Sequence, residues 1–431
     1  VTRGTPRRSK HGPRAAGALA DLFDRVELRA IQRALLRWFT VAQRDLPWRV
    51  KRDAYSTWVS EVMLQQTQVA TVVPYFERWM RTYPTVAALS QAREQDVLKL
   101  WEGLGYYSRA RSLLAGARVI REKFDGQVPP DVTALRSIPG VGRYTAGAIA
   151  SIGYGKPAAI LDGNVMRVLC RLRDLEGDPR KGALNELLWT LAGQLVIDTR
   201  PAQLNESLME LGATVCTPAR PRCGECPVRL HCAALANASV DRRPSLVRRA
   251  ATTDHRVMIA VVSRNRRVLV ERQAADAPRW AGLWTFPHWE CAEFDAPEHE
   301  LLQWLAHGPS AQRAAGVLEH TPHESLTHEH GSNLAAKTPK GRGGRKRETS
   351  DAPKGRGGRR RETSGATVVG VLLRGKYSIT RFRFSFVAVQ ALVPRAAQLH
   401  TRSDRYSWVT REQLLRLPMP APHRRVAQEL G

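Results

Sequence analysis

Between Leu22 and about Ala236 apolar residues recur at helical spacing, as in Leu28, Ile31, Leu35 and Trp38 and again in Trp58, Val62 and Met63. Breakers cut this stretch at Leu46-Pro47, Tyr83-Pro84, Gly103-Leu104-Gly105, Val128-Pro129-Pro130, Pro139-Gly140 and Asp162-Gly163. Punctuation this dense predicts many helices of modest length, and no segment alternates as a strand would. The pattern changes after Arg249. Val257–Val262, Val268–Val270, Thr367–Leu373 and Phe382–Val393 are β-rich, while Glu300–Leu305 is helical in pattern. That predicts an α+β domain running to the C-terminus, with the basic, proline-containing segment 237–254 as a linker.

The chain has 431 residues, 43% of them hydrophobic, which fits about two or three globular domains. No run approaches the ~20 apolar residues that a membrane helix needs. The N-terminus lacks an apolar core of the secretory kind, so the expected location is cytoplasmic and nucleoid-associated, as in bacteria. Six cysteines in a chain this long do not suggest a disulfide scaffold. Charge narrows the picture most: 67 Lys and Arg against 40 Asp and Glu give +27, which points to a polyanionic partner, with nucleic acid first among them. Residues 1–20 carry five basic residues and no acid, and read as a disordered basic tail. Pro339–Ala352 and Pro353–Ala366 repeat one another with a period of 14 and two differences. Their Gly/Arg-rich composition cannot bury a core, so residues 337–365 read as a disordered insertion, passive or able to touch single strands.

Three groups of residues carry chemistry. Cys216, Cys223, Cys226 and Cys232 fall at spacing C-x6-C-x2-C-x5-C. Four thiolates this close imply zinc or an iron–sulfur cluster, and spacing alone does not choose between them. Arg220 and Arg222 lie inside the loop, where they suit a phosphate contact. Leu135–Ala146 reads as helix, Pro-Gly-Val-Gly turn, helix. Gly140 and Gly142 permit positive φ, and the backbone N–H groups around Val141 then suit a DNA phosphate without base specificity. Finally, Asp162 stands before a helical run, where composition reads it as an N-cap. Glu61 lies among apolar neighbours on a helix; composition alone favours a solvated face, and burial would instead raise its pKa and make it a proton donor.

Together these residues resemble the helix-hairpin-helix DNA glycosylases that carry an iron–sulfur cluster, specifically the MutY-type adenine glycosylases. The segments that carry the likeness are Leu46–Arg49, Ser60–Val69, Gly103–Tyr107, Ile138–Gly142, Leu161–Val165 and the cysteine loop. The resemblance is strong over about residues 25–240 and weaker over 250–430. It implies a multidomain chain: an all-α helix-hairpin-helix glycosylase domain (21–236) with an iron–sulfur loop, followed by an α+β Nudix-like C-terminal domain (255–431). Within the first domain it implies a six-helix-barrel lobe at about 51–155 and a cluster lobe from about 21–50 plus 156–236.

The same likeness implies a [4Fe-4S] cluster on the four cysteines, a monomer, and duplex DNA with a mispaired adenine as partner. Glu61 matches the general acid that protonates adenine N7. Asp162 matches the carboxylate that stabilises the cationic sugar, a division of labour parallel to that of glycoside hydrolases. Tyr144 and Asn164 match residues that orient this pair, and Arg44, Leu46, Trp48 and Glu206 those around the extruded base. Gln66 and Tyr106 match side chains that wedge into the stack. Where bifunctional relatives have a Schiff-base lysine this chain has Tyr144, which implies a monofunctional enzyme. In the second domain Gly282–Pro287 fits the Nudix-like module, but no Arg-Glu-x-x-Glu-Glu helix follows, so pyrophosphatase activity is not expected. The family's Phe-Ser-His loop would fall near Ile379-Thr380-Arg381, where neither the aromatic residue nor the histidine is present. The competing readings are an endonuclease III-like glycosylase/lyase and a non-catalytic iron–sulfur DNA-binding redox sensor.

Overall fold

Asp24 opens the first helix, α1 (Arg25–Ala42), by accepting the Glu27 N–H at 2.8 Å. The computed structural model describes residues 23–245, 251–307, 365–397, 399 and 404–430. The basic tail at 1–20 and all of the repeat insertion but Gly365 lie outside the described residues. The chain divides into two compact units, residues 1–249 and 250–431.

The first unit is helical, and no strand occurs among its described residues. After α1 come α2 (Pro47–Val50), α3 (Ala54–Leu64), α4 (Val69–Thr82), α5 (Val86–Ser90), α6 (Glu94–Leu100), α7 (Ser108–Lys123), α8 (Val132–Arg136) and α9 (Arg143–Ala148). Then follow α10 (Gly163–Leu172), α11 (Gly182–Leu195), α12 (Pro201–Thr214) and α13 (Ala233–Ala236). The spacing in α1 puts Ile31 and Leu35 on one face, and they share a core with Leu169, Leu188, Leu191, Leu208 and Leu211. The first helix thus packs with the last long ones. The intervening helices bury Trp58, Trp79, Trp101 and Leu113 completely. Trp79 meets Trp101 edge-on at 5.5 Å, and truncating either ring to alanine typically costs roughly 3–5 kcal/mol.

Part of the segment expected to be a linker belongs to this unit. Arg243 pairs with Asp174 at 2.9 Å, Asn237 donates to the same carboxylate, and Arg171 donates to the carbonyls of Val240 and Arg243. Charge pairing with a turn far back in the chain holds Asn237–Ser245, a contact that composition cannot reveal.

Among the described residues the second unit forms a seven-stranded mixed sheet. Its strands are β1 (Thr253–Arg264), β2 (Arg267–Arg272), β3 (Trp284–Thr285), β4 (His288–Cys291), β5 (Thr367–Ile379), β6 (Phe382–Leu392) and β7 (Tyr406–Thr410). The order is β3-β2-β1-β6-β5, with β4 also on β1 and β7 on β2. Only β1 and β6 run parallel among these pairs. Both faces of β1 are buried, which explains its unbroken apolar run. Val257, Ile259 and Val261 pack toward α15 (Arg411–Arg416) and α16 (Ala421–Glu429), and Met258, Ala260 and Val262 toward α14 (Pro297–His307). The four predicted strands and the helix at Glu300–Leu305 are present. The short β3, β4 and β7 escape a periodicity search, since two to five residues are too few to show one.

Candidate active site

Helix α3 is capped by Asp53, which accepts the Ser56 N–H at 2.7 Å. Every residue from Ala54 to Met63 is buried. A helix packed on all sides has no solvated face, so the solvated reading of Glu61 fails: its residue is only 5% exposed. Ser56, Thr57 and Ser60 mimic a polar face in sequence, yet each is buried with it. Burial raises the Glu61 pKa to about 7. The Tyr144 hydroxyl, donating to Glu61 Oε2 at 2.5 Å, works against that rise, and the charges of Asp162 and Glu206 work with it. A carboxyl in this setting keeps its proton near neutrality. Desolvation and the charges of Glu61 and Asp162 hold the Tyr144 phenol well above its ordinary value, so it stays a donor.

The helix-turn-helix that delivers Tyr144 runs from α8 through Gly140-Val141-Gly142 into α9. Gly140 takes φ +78°, and a Cβ there would stand 2.5 Å from the Ser112 Cβ. Gly142, however, is extended at φ −86° and caps α9. Positive φ is therefore needed at one glycine of the pair, not both.

Asp162 is the N-cap of α10, its Oδ1 accepting the Val165 N–H at 2.7 Å. Its Oδ2 accepts from the Asn164 amide at 2.8 Å. Desolvation raises its pKa on balance, and these donors with Arg167 offset only part of that rise. Arg167, absent from the sequence-based site, fixes the arrangement. It donates to Asn164 Oδ1 (2.9 Å), to the Gly212 carbonyl (2.7 Å) and to the Cys216 carbonyl (2.7 Å). One guanidinium thus ties the asparagine that holds Asp162 to the first residue of the cysteine loop. Gly212 makes the approach of α12 possible, since a Cβ there would lie 2.6 Å from the Asn164 Cβ.

A charged wall stands beside the pair. Glu206 is 3% exposed and is held by Arg49 at 3.0 Å and Arg52 at 3.1 Å. Glu210, one turn along α12, receives Arg44 at 2.5 Å and Arg49 at 2.9 Å. Burial alone would push the Glu210 pKa up, but the two arginines outweigh it and hold it down. Arg44 and Glu206 are therefore joined through Arg49, the last residue of the Leu46–Arg49 segment, and Glu210, which no motif included. Its signal was present: Glu206 and Glu210 are four apart on one helix face. Leu46 and Trp48 are both 9% exposed, and Trp48 meets Phe76 edge-on at 5.5 Å.

The other expected residues lie on loops. Gln66 (φ +55°) and Tyr106 (φ +47°) are exposed, each at the tip of its own loop and each in the left-handed region. Cys216, Cys223, Cys226 and Cys232 all line one cavity, with Val215, Leu235, Val240 and Arg171 between them. Arg171 Nη1 approaches the Cys216 sulfur at 3.4 Å. Among the described residues no three His, Cys, Asp or Glu side chains converge tightly enough for one metal ion. Arg220 and Arg222 are exposed on this loop; Arg222 pairs with Glu225 at 2.9 Å.

Residues 59–194 match the family described as HhH-GPD superfamily base excision DNA repair protein. An adenine DNA glycosylase of Buchnera aphidicola (from Schizaphis graminum) is 31% identical over 63% of this chain and 76% of its own length. The chain belongs to the adenine DNA glycosylase family. The rat adenine DNA glycosylase is 51% identical over 49% of the chain, yet the match takes in only 43% of the rat protein. The chain thus spans less than half the length of this relative. A solved structure of a thermostable thymine-DNA glycosylase aligns at 28% identity with a TM-score of 0.46, over 49% of this chain and 98% of that one. Helices α3, α9, α10 and α12 together bring Tyr144, Asp162 and Glu206 within electrostatic range of Glu61.

Proposed function

We propose that this chain is a monofunctional glycosylase that removes adenine mispaired with 8-oxoguanine, or with guanine, from duplex DNA. The observation that carries the reading is the buried Glu61, with a pKa of about 7, hydrogen-bonded to a tyrosine rather than to a lysine. Adenine leaves poorly as an anion, so its N-glycosidic bond breaks readily only once the base is protonated. Glu61 supplies that proton at N7, with Tyr144 holding its carboxyl in one orientation. As the bond opens, positive charge develops on the sugar, and Asp162 faces it as the ionised partner; water then adds to the sugar carbon, its proton passing to the Glu61 carboxylate, and an abasic site is left. The α10 N-terminus and Asn164 keep the Asp162 carboxylate aimed and favour its charged form against the desolvation around it. Two such groups work only if one is neutral while the other is charged, which is the state their mutual repulsion favours.

The reacting atoms are inaccessible in a stacked duplex, so the nucleotide must be extruded. Arg44, Leu46, Trp48 and Glu206 surround the extruded base, and Gln66 and Tyr106 fill the stack. Gly140, Val141 and Gly142 with Arg220 and Arg222 take the DNA backbone. The second unit is a Nudix-like domain that reads the opposite strand. Its Ile379-Thr380-Arg381 segment forms the tip of the β5–β6 hairpin, where Ile379 pairs with Phe382 and the exposed Arg381 stacks on that ring at 5.2 Å. Here an arginine stands ready to donate to the oxidised base.

The four cysteines line one cavity, and with the family resemblance their C-x6-C-x2-C-x5-C spacing supports a [4Fe-4S] group. Such a cluster would fix the loop that bears Arg220 and Arg222. Full-length protein is expected to be brown and to contain iron and acid-labile sulfide in equal amounts. A colourless preparation holding zinc would contradict this assignment.

The test of the function is a cleavage assay on an 8-oxoguanine:adenine duplex, run with and without hot alkali. Strand breakage that requires alkali is the expected result. Breakage without alkali would mean a lyase, and no breakage a protein that only docks.

A further inference from the structure

Arg109 is the second residue of α7 and only 8% exposed, yet it lies outside the acid pair and the charged wall. Its Nη1 donates to the carbonyls of Val62 (3.0 Å), Met63 (2.9 Å) and Gln65 (2.5 Å). Its Nη2 donates to Thr67 Oγ1 (3.1 Å) and to the carbonyls of Leu104 (3.3 Å) and Gly105 (3.2 Å). The guanidinium also packs on the rings of Trp101 and Tyr106, at 5.3 and 5.4 Å. Burial lowers its pKa only to about 10, so it remains charged.

These partners fall into two sets. Val62 and Met63 give the carbonyls at the C-terminal end of α3, the helix that bears Glu61, and Gln65 and Thr67 bracket Gln66. Leu104, Gly105 and Tyr106 form the other loop. Both tips are non-glycine residues at positive φ, a conformation that persists only where the surroundings over-determine it. We infer that Arg109 is a positioning residue that clamps the Gln66 and Tyr106 loops in one mutual register, so that both side chains enter the base stack together. The inference rests on the glycosylase reading above, because the wedge is useful only if a nucleotide is extruded. Lysine would keep the charge, but its single ammonium has three donors on one point and cannot span acceptors on both loops.

The test compares full-length protein with Arg109→Lys and with the milder Thr67→Val. In hydrogen exchange on the free proteins, Arg109→Lys is expected to speed the amides of residues 65–68 and 103–107 together, by about tenfold or more, with α1, α10, α11 and α12 unchanged. Thr67→Val should do the same more weakly. Unchanged loops, a change in one loop only, or an equal rise in every helix would overturn the clamp. The second arm uses an 8-oxoguanine duplex with a non-cleavable 2′-fluoro adenosine and 2-aminopurine beside it. Arg109→Lys should lose most of the fluorescence rise from unstacking and roughly a hundredfold in single-turnover excision of normal adenine. Its affinity for a fully paired duplex should change by less than about threefold. A retained fluorescence rise contradicts the proposal. If the unaltered protein itself neither unstacks nor excises, the glycosylase reading falls, while the exchange result still decides whether Arg109 clamps the loops.

Discussion

Asp162→Asn is expected to abolish adenine excision while leaving the helical unit folded and duplex binding largely intact. Asparagine is as good an N-cap as aspartate, so the Val165 N–H keeps its acceptor and α10 keeps its start. What disappears is the charge. The new amide would also meet the Asn164 Nδ2, which cannot simply turn round because Arg167 holds the Asn164 oxygen. One lost hydrogen bond costs on the order of 1 kcal/mol of stability. Losing the carboxylate set to face a cationic sugar should cost at least about a thousandfold in rate, or roughly 4 kcal/mol of transition-state stabilisation. Single-turnover excision together with a thermal melt separates the two effects. A variant that keeps more than a tenth of the rate would leave Asp162 as a cap and nothing more.

Glu61→Gln should split activity from stability in opposite directions. Glutamine retains an acceptor for Tyr144 but has no proton to donate, so excision should fall by at least about a hundredfold. The stability change follows from the raised pKa. Below about pH 4.5 the carboxyl is protonated in folded and unfolded chains alike, and its neutral form costs the fold nothing. Between there and about pH 7 the unfolded chain ionises while the folded one holds its proton, and stability falls as pH rises. Above pH 7 the folded protein carries a buried charge, and the loss levels off at on the order of 3 kcal/mol. The glutamine variant never acquires that charge. It should therefore match the parent near pH 4.5 and exceed it by up to about 3 kcal/mol at pH 8 in denaturant unfolding. Equal stability at both pH values would mean that Glu61 is not desolvated. A catalytic acid held against the interests of the fold is a common compromise at enzyme sites.

How much of this could be read from the chain depends on how local each signal is. The hairpin, the Asp162 cap and the cysteine loop are contiguous motifs, and each lies in the structure where its residues predicted. The sheet unit declared itself through long apolar runs such as Val257–Val262. Glu61 was misread by composition because four polar residues on α3 imitate an exposed face, and only the helices packed around it remove the solvent. Arg167 and Arg109 were invisible for another reason. Among their partners are backbone carbonyls 45 to 49 residues from Arg167 and 44 to 47 residues from Arg109, and a carbonyl has no sequence signature. The linker was drawn too early because a salt bridge to Asp174 leaves no trace in local composition.

The central claim is that Glu61 must hold a proton for the base to leave. Its most direct test is the pH dependence of the single-turnover rate constant for adenine release from an 8-oxoguanine:adenine duplex, at saturating protein. With a folded pKa of about 7, the rate should decline about tenfold per pH unit on the alkaline side, and below neutrality it should stay nearly level until Asp162 takes up its own proton. A rate that instead climbs with pH through neutrality would mean that the group works as a base, and would contradict proton donation by Glu61.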